Sequence, residues 1–138
     1  MLVSIITPTY NSQDTIDTTI ISILEQTYNN IEIVIIDGDS KDNTLKIINS
    51  FKNNIFDRGY SLKVISEKDN GIYDAMNKGV NISNGDIIGI LNSDDYLFDI
   101  NIIEEIVSEF SNSNIDCLYG NLVFVDEKKS NKIDRVWI

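Results

Sequence analysis

Short aliphatic runs alternate with stretches of helical periodicity along the chain. Leu2–Thr7 predicts a first strand, and Asp14–Gln26 follows with Ile16, Ile20, Ile21 and Leu24 on one helical face. Ile31–Ile36 is a second, almost wholly aliphatic strand. Asp42–Asn53 sets Leu45, Ile48 and Phe51 three apart, a helical stripe. Leu62–Ser66 is a short third strand. Ile72–Ile82 carries Ile72, Met76 and Val80 four apart, and Asn84-Gly85 reads as its stop. Ile87–Leu91 is a fourth strand. Ile102, Ile103, Ile106, Val107 and Phe110 make the strongest amphipathic helix, and Cys117–Val125 resumes strand character.

The predicted order is therefore βαβαβαβαβ, with strands apolar on both faces. Such strands belong to a mainly parallel sheet with helices on both faces, an α/β fold. A length of 138 residues suits a single domain, 1–138, with its own core. Glu127–Arg135 is polar, and the chain then stops at Val136-Trp137-Ile138, inside an apolar run. That ending reads as the end of a fragment, with an apolar C-terminal strand as the alternative.

Charge narrows the partners. A formal net charge of −11 and a pI near 4.2 argue against nucleic acid or anionic membrane as a direct electrostatic partner. An anionic substrate would need a metal or a local cationic pocket. The chain has no histidine, which excludes imidazole chemistry and histidine-ligated zinc. One cysteine, Cys117, excludes an internal disulfide and points to a reducing, cytoplasmic compartment. No apolar run approaches the ~18 residues of a membrane helix.

In an open parallel sheet, ligands bind beyond the carboxyl ends of the strands, where strand order reverses. The residues there are Pro8, Thr9, Tyr10 and Asn11 after the first strand and Asp37, Gly38, Asp39 and Ser40 after the second. Glu67, Lys68, Asp69, Asn70 and Gly71 follow the third, and Asn92, Ser93, Asp94 and Asp95 the fourth. Ser40 and Asp42 read first as helix caps and Asn70-Gly71 as a turn into a helix. Asp37 is balanced between ligand contact and turn formation. Asp94-Asp95 resists such readings. Two carboxylates ~4 Å apart at an effective dielectric of ~20 repel by about 4 kcal/mol, so a cation is expected between them and an anionic ligand.

Glycine-rich dinucleotide turns and P-loops are absent, since "TPTYNSQDT" contains no glycine. A phospho-receiver domain shares the layout and uses Mg²⁺, but needs its acidic pair after the first strand. "SIITPTYNS", "IEIVIIDGDSKDNT" and "DNGIYDAMNKGVNISNGDIIGILNSDDYL", with "LYGN" further on, together resemble the inverting family-two glycosyltransferases, in a bacterial envelope-polysaccharide branch. The resemblance implies a GT-A, Rossmann-like fold. It also implies hexosyl transfer from a nucleotide-diphosphate sugar, UDP- or dTDP-type, to a saccharide or lipid-linked acceptor.

Carried over by residue, the resemblance has Pro8 and Tyr10 flank the base and Asp37 accept from its ring N–H. Asp69 would lie near the ribose or base. Asp94 would bind Mg²⁺ or Mn²⁺ across the phosphates, Asp95 beside it on the ribose or behind the metal, and Asn92 as an uncharged ligand. Two departures stand out. The family's carboxylates are usually two apart, whereas Asn92 occupies the first place here. An arginine often stands where Met76 precedes Asn77, and Lys78 is the candidate replacement. The resemblance puts the catalytic base in an acceptor-binding part beyond residue 138; Asp126 and Glu127 are the nearest carboxylates. It also implies action in the cytoplasm, peripherally at the inner face of the membrane. The competing readings are a non-catalytic nucleotide-sugar-binding module and a Mg²⁺-dependent receiver-like domain.

Overall fold

Every residue of Val3–Thr9 and of Ile31–Asp37 is buried, which is why aliphatic side chains fill both faces of these runs. In the computed structural model, which describes residues 1–126 and 129–138, they are β1 and β2. With β3 (Ser61–Ser66) and β4 (Ile87–Ile90) they form a four-stranded sheet in the order β3-β2-β1-β4, all pairs parallel. Strand order thus runs outward from β1 through β2 to β3, then returns to the other side of β1 with β4. The crevice between the carboxyl ends of β1 and β4 is the switch point, where such sheets bind ligands.

The helices are α1 (Ile16–Leu24), α2 (Thr44–Ser50), α3 (Lys52–Asp57), α4 (Ile72–Ile82) and α5 (Ile102–Asn112). Ile6, Val34 and Ile36 on one sheet face pack with Ala75 of α4. On the other face Val3, Ile5, Ile33 and Ile35 are equally buried, so both faces are covered at β1 and β2, whereas β3 is only partly buried and Ile88 and Ile90 of β4 are exposed. Helix α4 lies close on the sheet because Gly79 has no Cβ; one there would overlap Ile6 Cγ2. Its N-terminus turns in through Gly71 at φ +105°, a conformation that L side chains resist.

Three expectations need correction. The helix read over Asp42–Asn53 is two helices, broken at Phe51. There Ser50 Oγ donates to Ile47 O (2.6 Å) and Phe51 N–H to Ile48 O (3.1 Å), so a tighter turn replaces the helical ladder. Helix α1 begins at Ile16 because Ser12 O draws the N–H groups of Thr15 and Ile16 into a turn.

The final strand is not a fifth parallel one. β5 (Leu122–Asp126) starts later than Cys117, which is exposed, and pairs antiparallel with β6 (Lys129–Trp137) in a separate two-stranded sheet. β5 and β6 are adjacent in sequence, too close for the crossover of a dozen or so residues that a parallel pair needs, so they pair with each other antiparallel. Residues 1–108 and 109–138 are two compact units. Within the second, Arg135 stacks on Phe124, with its guanidinium carbon 4.3 Å from the ring centre. Among the described residues no helix is long and apolar enough to cross a membrane.

Candidate functional site

The loops after β1 and β2 are clipped together by hydrogen bonds. Asn11, in the left-handed region at φ 47°, donates its N–H to Ser40 Oγ (2.8 Å), and its Oδ1 accepts from Lys41 N–H (2.9 Å). Ser40 in turn donates its hydroxyl (2.5 Å) and N–H (3.0 Å) to the Asp37 carboxylate, which also accepts from Ser66 Oγ (2.7 Å). Asp37 is fully buried at the end of β2 and ties the ends of β2 and β3 to this loop. Ser40 is therefore a link in this chain of bonds rather than a helix cap. Asp42 lies one residue before Asn43, the N-cap of α2, and its Oδ1 accepts from the first helical residue, Thr44, at N–H (2.9 Å) and Oγ1 (2.6 Å). Burial alone would raise its pKa, but these bonds outweigh it and lower it.

A cleft of about 630 Å³ opens at the switch point. Its walls include Pro8, Tyr10, Ser12, Asp69, Asn92 and Asp94. Pro8 is buried at the floor, and Tyr10 stands 63% exposed at the rim. Asp69 accepts from Gly71 N–H (3.0 Å) and packs over Gly38, where a Cβ would come within 2.8 Å of its Oδ2. The expected Asn70-Gly71 turn is thus real, and Asp69 both shapes it and faces the cleft. Five of the seven residues singled out from the sequence meet here. Asp37 and Asp95 do not line the cleft, and the Asp37 carboxylate oxygens are engaged by Ser40 of its own loop and Ser66 of β3.

The acidic turn closes when Asp95 N–H donates to Asn92 O (3.0 Å). Asp94 is left exposed and Asp95 half-buried behind it. Burial pushes the Asp95 carboxyl above its ordinary value, and the neighbouring Asp94 charge adds to the rise. Asn92 Oδ1 is buried and has no hydrogen-bond partner, a costly state for an amide oxygen unless a ligand completes it. Among the described residues no three His, Cys, Asp or Glu side chains are gathered as a ready metal cage. An unpartnered neutral oxygen beside an exposed carboxylate still suits a hard cation that takes its other ligands from phosphate and water.

Lys78 does not supply charge to the cleft. It pairs with Glu67 (2.9 Å) and Asp74 (3.3 Å), which raise its pKa. Asp126 lies on β5 in the second unit, and Glu127 falls outside the described residues. Ser12 and Ser93 were not singled out, yet their hydroxyls meet at 2.8 Å and join the β1 loop to the acidic turn. Their only sequence signal was position, each lying just past a strand end.

A parallel sheet with a polar cleft at its switch point defines a Rossmann-like α/β domain. A family model for glycosyl transferase family 2 matches residues 4–136, and the chain belongs to that family. A "PGL/p-HBAD biosynthesis glycosyltransferase" of Mycobacterium tuberculosis is 34% identical over 87% of this chain and 46% of its own length. The Escherichia coli "UDP-Glc:alpha-D-GlcNAc-diphosphoundecaprenol beta-1,3-glucosyltransferase WfgD" is 36% identical over 91% of this chain and 47% of its own. The chain therefore spans about half the length of the curated relatives it matches.

Among solved structures, S. aureus TarS 1-349 in complex with UDP-GlcNAc superposes with a TM-score of 0.71. It is 24% identical and covers 81% of this chain and 32% of that one. A Pyrobaculum calidifontis mannosyltransferase, PcManGT, in complex with GDP-Man and Mn²⁺ gives 0.70 at 26% identity, over 76% of this chain and 31% of that one.

Proposed function

We propose that residues 1–138 are the donor-binding part of an inverting, metal-assisted glycosyltransferase that moves a hexose from a uridine or thymidine diphosphate to an acceptor hydroxyl. The observation that carries the reading is the buried, unpartnered Asn92 Oδ1 beside exposed Asp94, in a cleft at the switch point. Asp94 and Asn92 would hold Mg²⁺ or Mn²⁺. When bound, such an ion offsets the diphosphate's negative charge and stabilises charge on the departing nucleotide. Pro8 and Tyr10 would flank the base, Asp69 would meet the ribose or base, and Asp95 would sit behind the metal or on the ribose.

Asp37 is fully buried and already accepts from Ser40 and Ser66, so it would meet the base's ring N–H through the acceptor site still open on its Oδ1. A family relative named for UDP-Glc and a diphosphoundecaprenol acceptor supports a lipid-linked acceptor, and the proposed setting is envelope-polysaccharide synthesis at the inner membrane face. Calorimetry with uridine, thymidine and guanosine diphosphates, each with Mn²⁺ and with chelator, tests the reading. Uridine or thymidine diphosphate should bind more tightly with the ion. Equal affinity in chelator would sink the proposal.

The acceptor-side base would come from outside residues 1–138. A positioned base contributes ~10²–10⁴-fold, so these residues alone should transfer sugar at a residual rate. Asp126→Asn should leave that rate unchanged. Labelled-sugar transfer matching that of a purified relative such as WfgD would show that the base lies within these residues.

A further inference from the structure

Between Asp95 and Asn101 the chain has no regular secondary structure, yet its backbone is tied along its length to one helix. We infer that α1 is a positioning element for the acidic turn. Thr19 and Ser22, with Gln26 just past the helix end, hold the Asp95–Ile103 segment by its backbone and so fix how the Asn92–Asp95 turn presents Asp94. The inference rests on the donor-binding reading of Asp94.

Thr19 and Ser22, three apart, share one face of α1, and Gln26 follows four residues on, past the helix end. All three are buried, and the helix's other inward residues are Ile16, Ile20 and Ile23. Ser22 Oγ donates to Thr19 O (2.8 Å) and Gln26 Nε2 to Ser22 O (3.1 Å), and the hydrogen-bonding capacity that remains on this buried stripe calls for a matched surface. The segment after the acidic turn is that surface. Thr19 Oγ1 donates to Asp95 O (2.7 Å), and Leu97 N–H donates to Ser22 Oγ (3.1 Å). Gln26 Nε2 donates to Asp99 O (2.8 Å), and its Oε1 accepts from Ile103 N–H (3.1 Å) at the start of α5.

The pairing is collinear, running 19 to 95, 22 to 97, and 26 to 99 and 103. On the upstream side Ser93 Oγ meets Ser12 Oγ, and Asp95 N–H closes the turn onto Asn92 O. Ser93, Asp95, Leu97 and Asp99 are each anchored, and of the turn residues that line the cleft, Asn92, Ser93 and Asp94, only Asp94 is exposed. None of Thr19, Ser22 or Gln26 lines the cleft, so they act through the turn.

The test is Thr19→Val, which keeps side-chain shape and removes the donor to Asp95 O, with Thr19→Ser as the conservative rescue. Uridine diphosphate affinity is measured by calorimetry with Mn²⁺ and with chelator, and amide hydrogen exchange is followed at Asp95 and Leu97. Thr19→Val should lose ~10-fold of the Mn²⁺-dependent gain, the lower end of what outer partners of metal ligands contribute. Its affinity in chelator should be unchanged, and Thr19→Ser should keep the gain. Exchange should rise at Asp95 and Leu97 but not in β1 or β2.

Thr19→Val retaining the whole gain, or losing affinity equally in chelator, would overturn the inference. Should the parent chain show no Mn²⁺ gain, the donor-binding reading fails, and exchange decides the positioning alone. A rise confined to the turn upholds it, and a uniform rise or none overturns it. Should Thr19→Val fail to fold, Ser22→Ala is read in the same way.

Discussion

Asp94→Asn should bind uridine diphosphate no more tightly with Mn²⁺ than with chelator, while the parent chain shows a clear gain with the ion. Asp94 is the one carboxylate of the acidic turn that lines the cleft, and it is exposed to whatever the cleft holds. Replacing a charged ligand by a neutral one should cost metal affinity at least the ~10–100-fold that outer-shell partners are worth. In chelator the same substitution should leave affinity unchanged or improve it, since a negative charge near the diphosphate is gone.

Asn92→Asp should shift the balance the other way. A second carboxylate beside the ion strengthens Mn²⁺-dependent binding, but without metal it stands against Asp95, whose carboxyl is already pushed upward by burial and by Asp94. Its melting temperature should therefore fall in chelator and recover with Mn²⁺. Titrations of both variants in both conditions check the pair. A parent-like metal gain in Asp94→Asn would remove Asp94 from the site.

The sheet was legible because four aliphatic runs each ended in polar residues, and buried parallel strands leave that mark. The lining of the cleft was legible for the same reason, since polar strand ends of a parallel sheet lie on one rim. Pro8, Tyr10, Asp69, Asn92 and Asp94 all face the cleft. Asp37 shows where pattern reading stops. A strand-end aspartate is equally suited to a ligand and to its own loop, and only coordinates reveal that Ser40 and Ser66 occupy it.

Lys78 fails likewise, because a single sequence does not disclose that Glu67 and Asp74 already claim its charge. The break at Phe51 turned on one serine bond against a stripe that fits either one helix or two. The direction of β5 was hidden because a strand's apolar pattern does not state which neighbour it will pair with. The polar stripe of α1 escaped because Thr19, Ser22 and Gln26 look solvent-facing until the segment that covers them is placed.

Glu32→Ala should be among the most destabilising single changes in the parallel sheet. Glu32 interrupts the aliphatic run of β2 and is 1% exposed, at the end of the strands opposite the cleft. Its carboxylate accepts from Ser4 Oγ (2.5 Å), Asn84 N–H (2.8 Å) and Asn84 Nδ2 (3.3 Å), and pairs with Lys63 Nζ (2.6 Å). Ser4 Oγ also accepts from Gly85 N–H (2.8 Å), so the cluster ties β1, β2 and β3 to the Asn84-Gly85 bend that leads into β4.

Breaking a buried ion pair from one side costs ~3–5 kcal/mol. The Lys63 ammonium is a third exposed and can rehydrate, which places the cost near the lower end, about 3 kcal/mol. In a domain of this size that lowers Tm by on the order of 10 °C. The double variant Glu32→Leu with Lys63→Met should lose less than Glu32→Ala, because it leaves no charge behind.

Acid should erase the difference. Burial alone would raise the Glu32 pKa, but bonds from Asn84, Lys63 and Ser4, with the Lys63 charge, hold it below its ordinary 4.5. A lowered carboxylate contributes stability that is present above the unfolded value and lost as pH falls through the folded one. The gap between parent and Glu32→Gln in urea titrations should be constant from neutral pH down to about 4.5 and shrink below it. A gap that persists undiminished in acid would assign the effect to packing rather than charge, and the ion pair would lose its role in setting β4 beside β1.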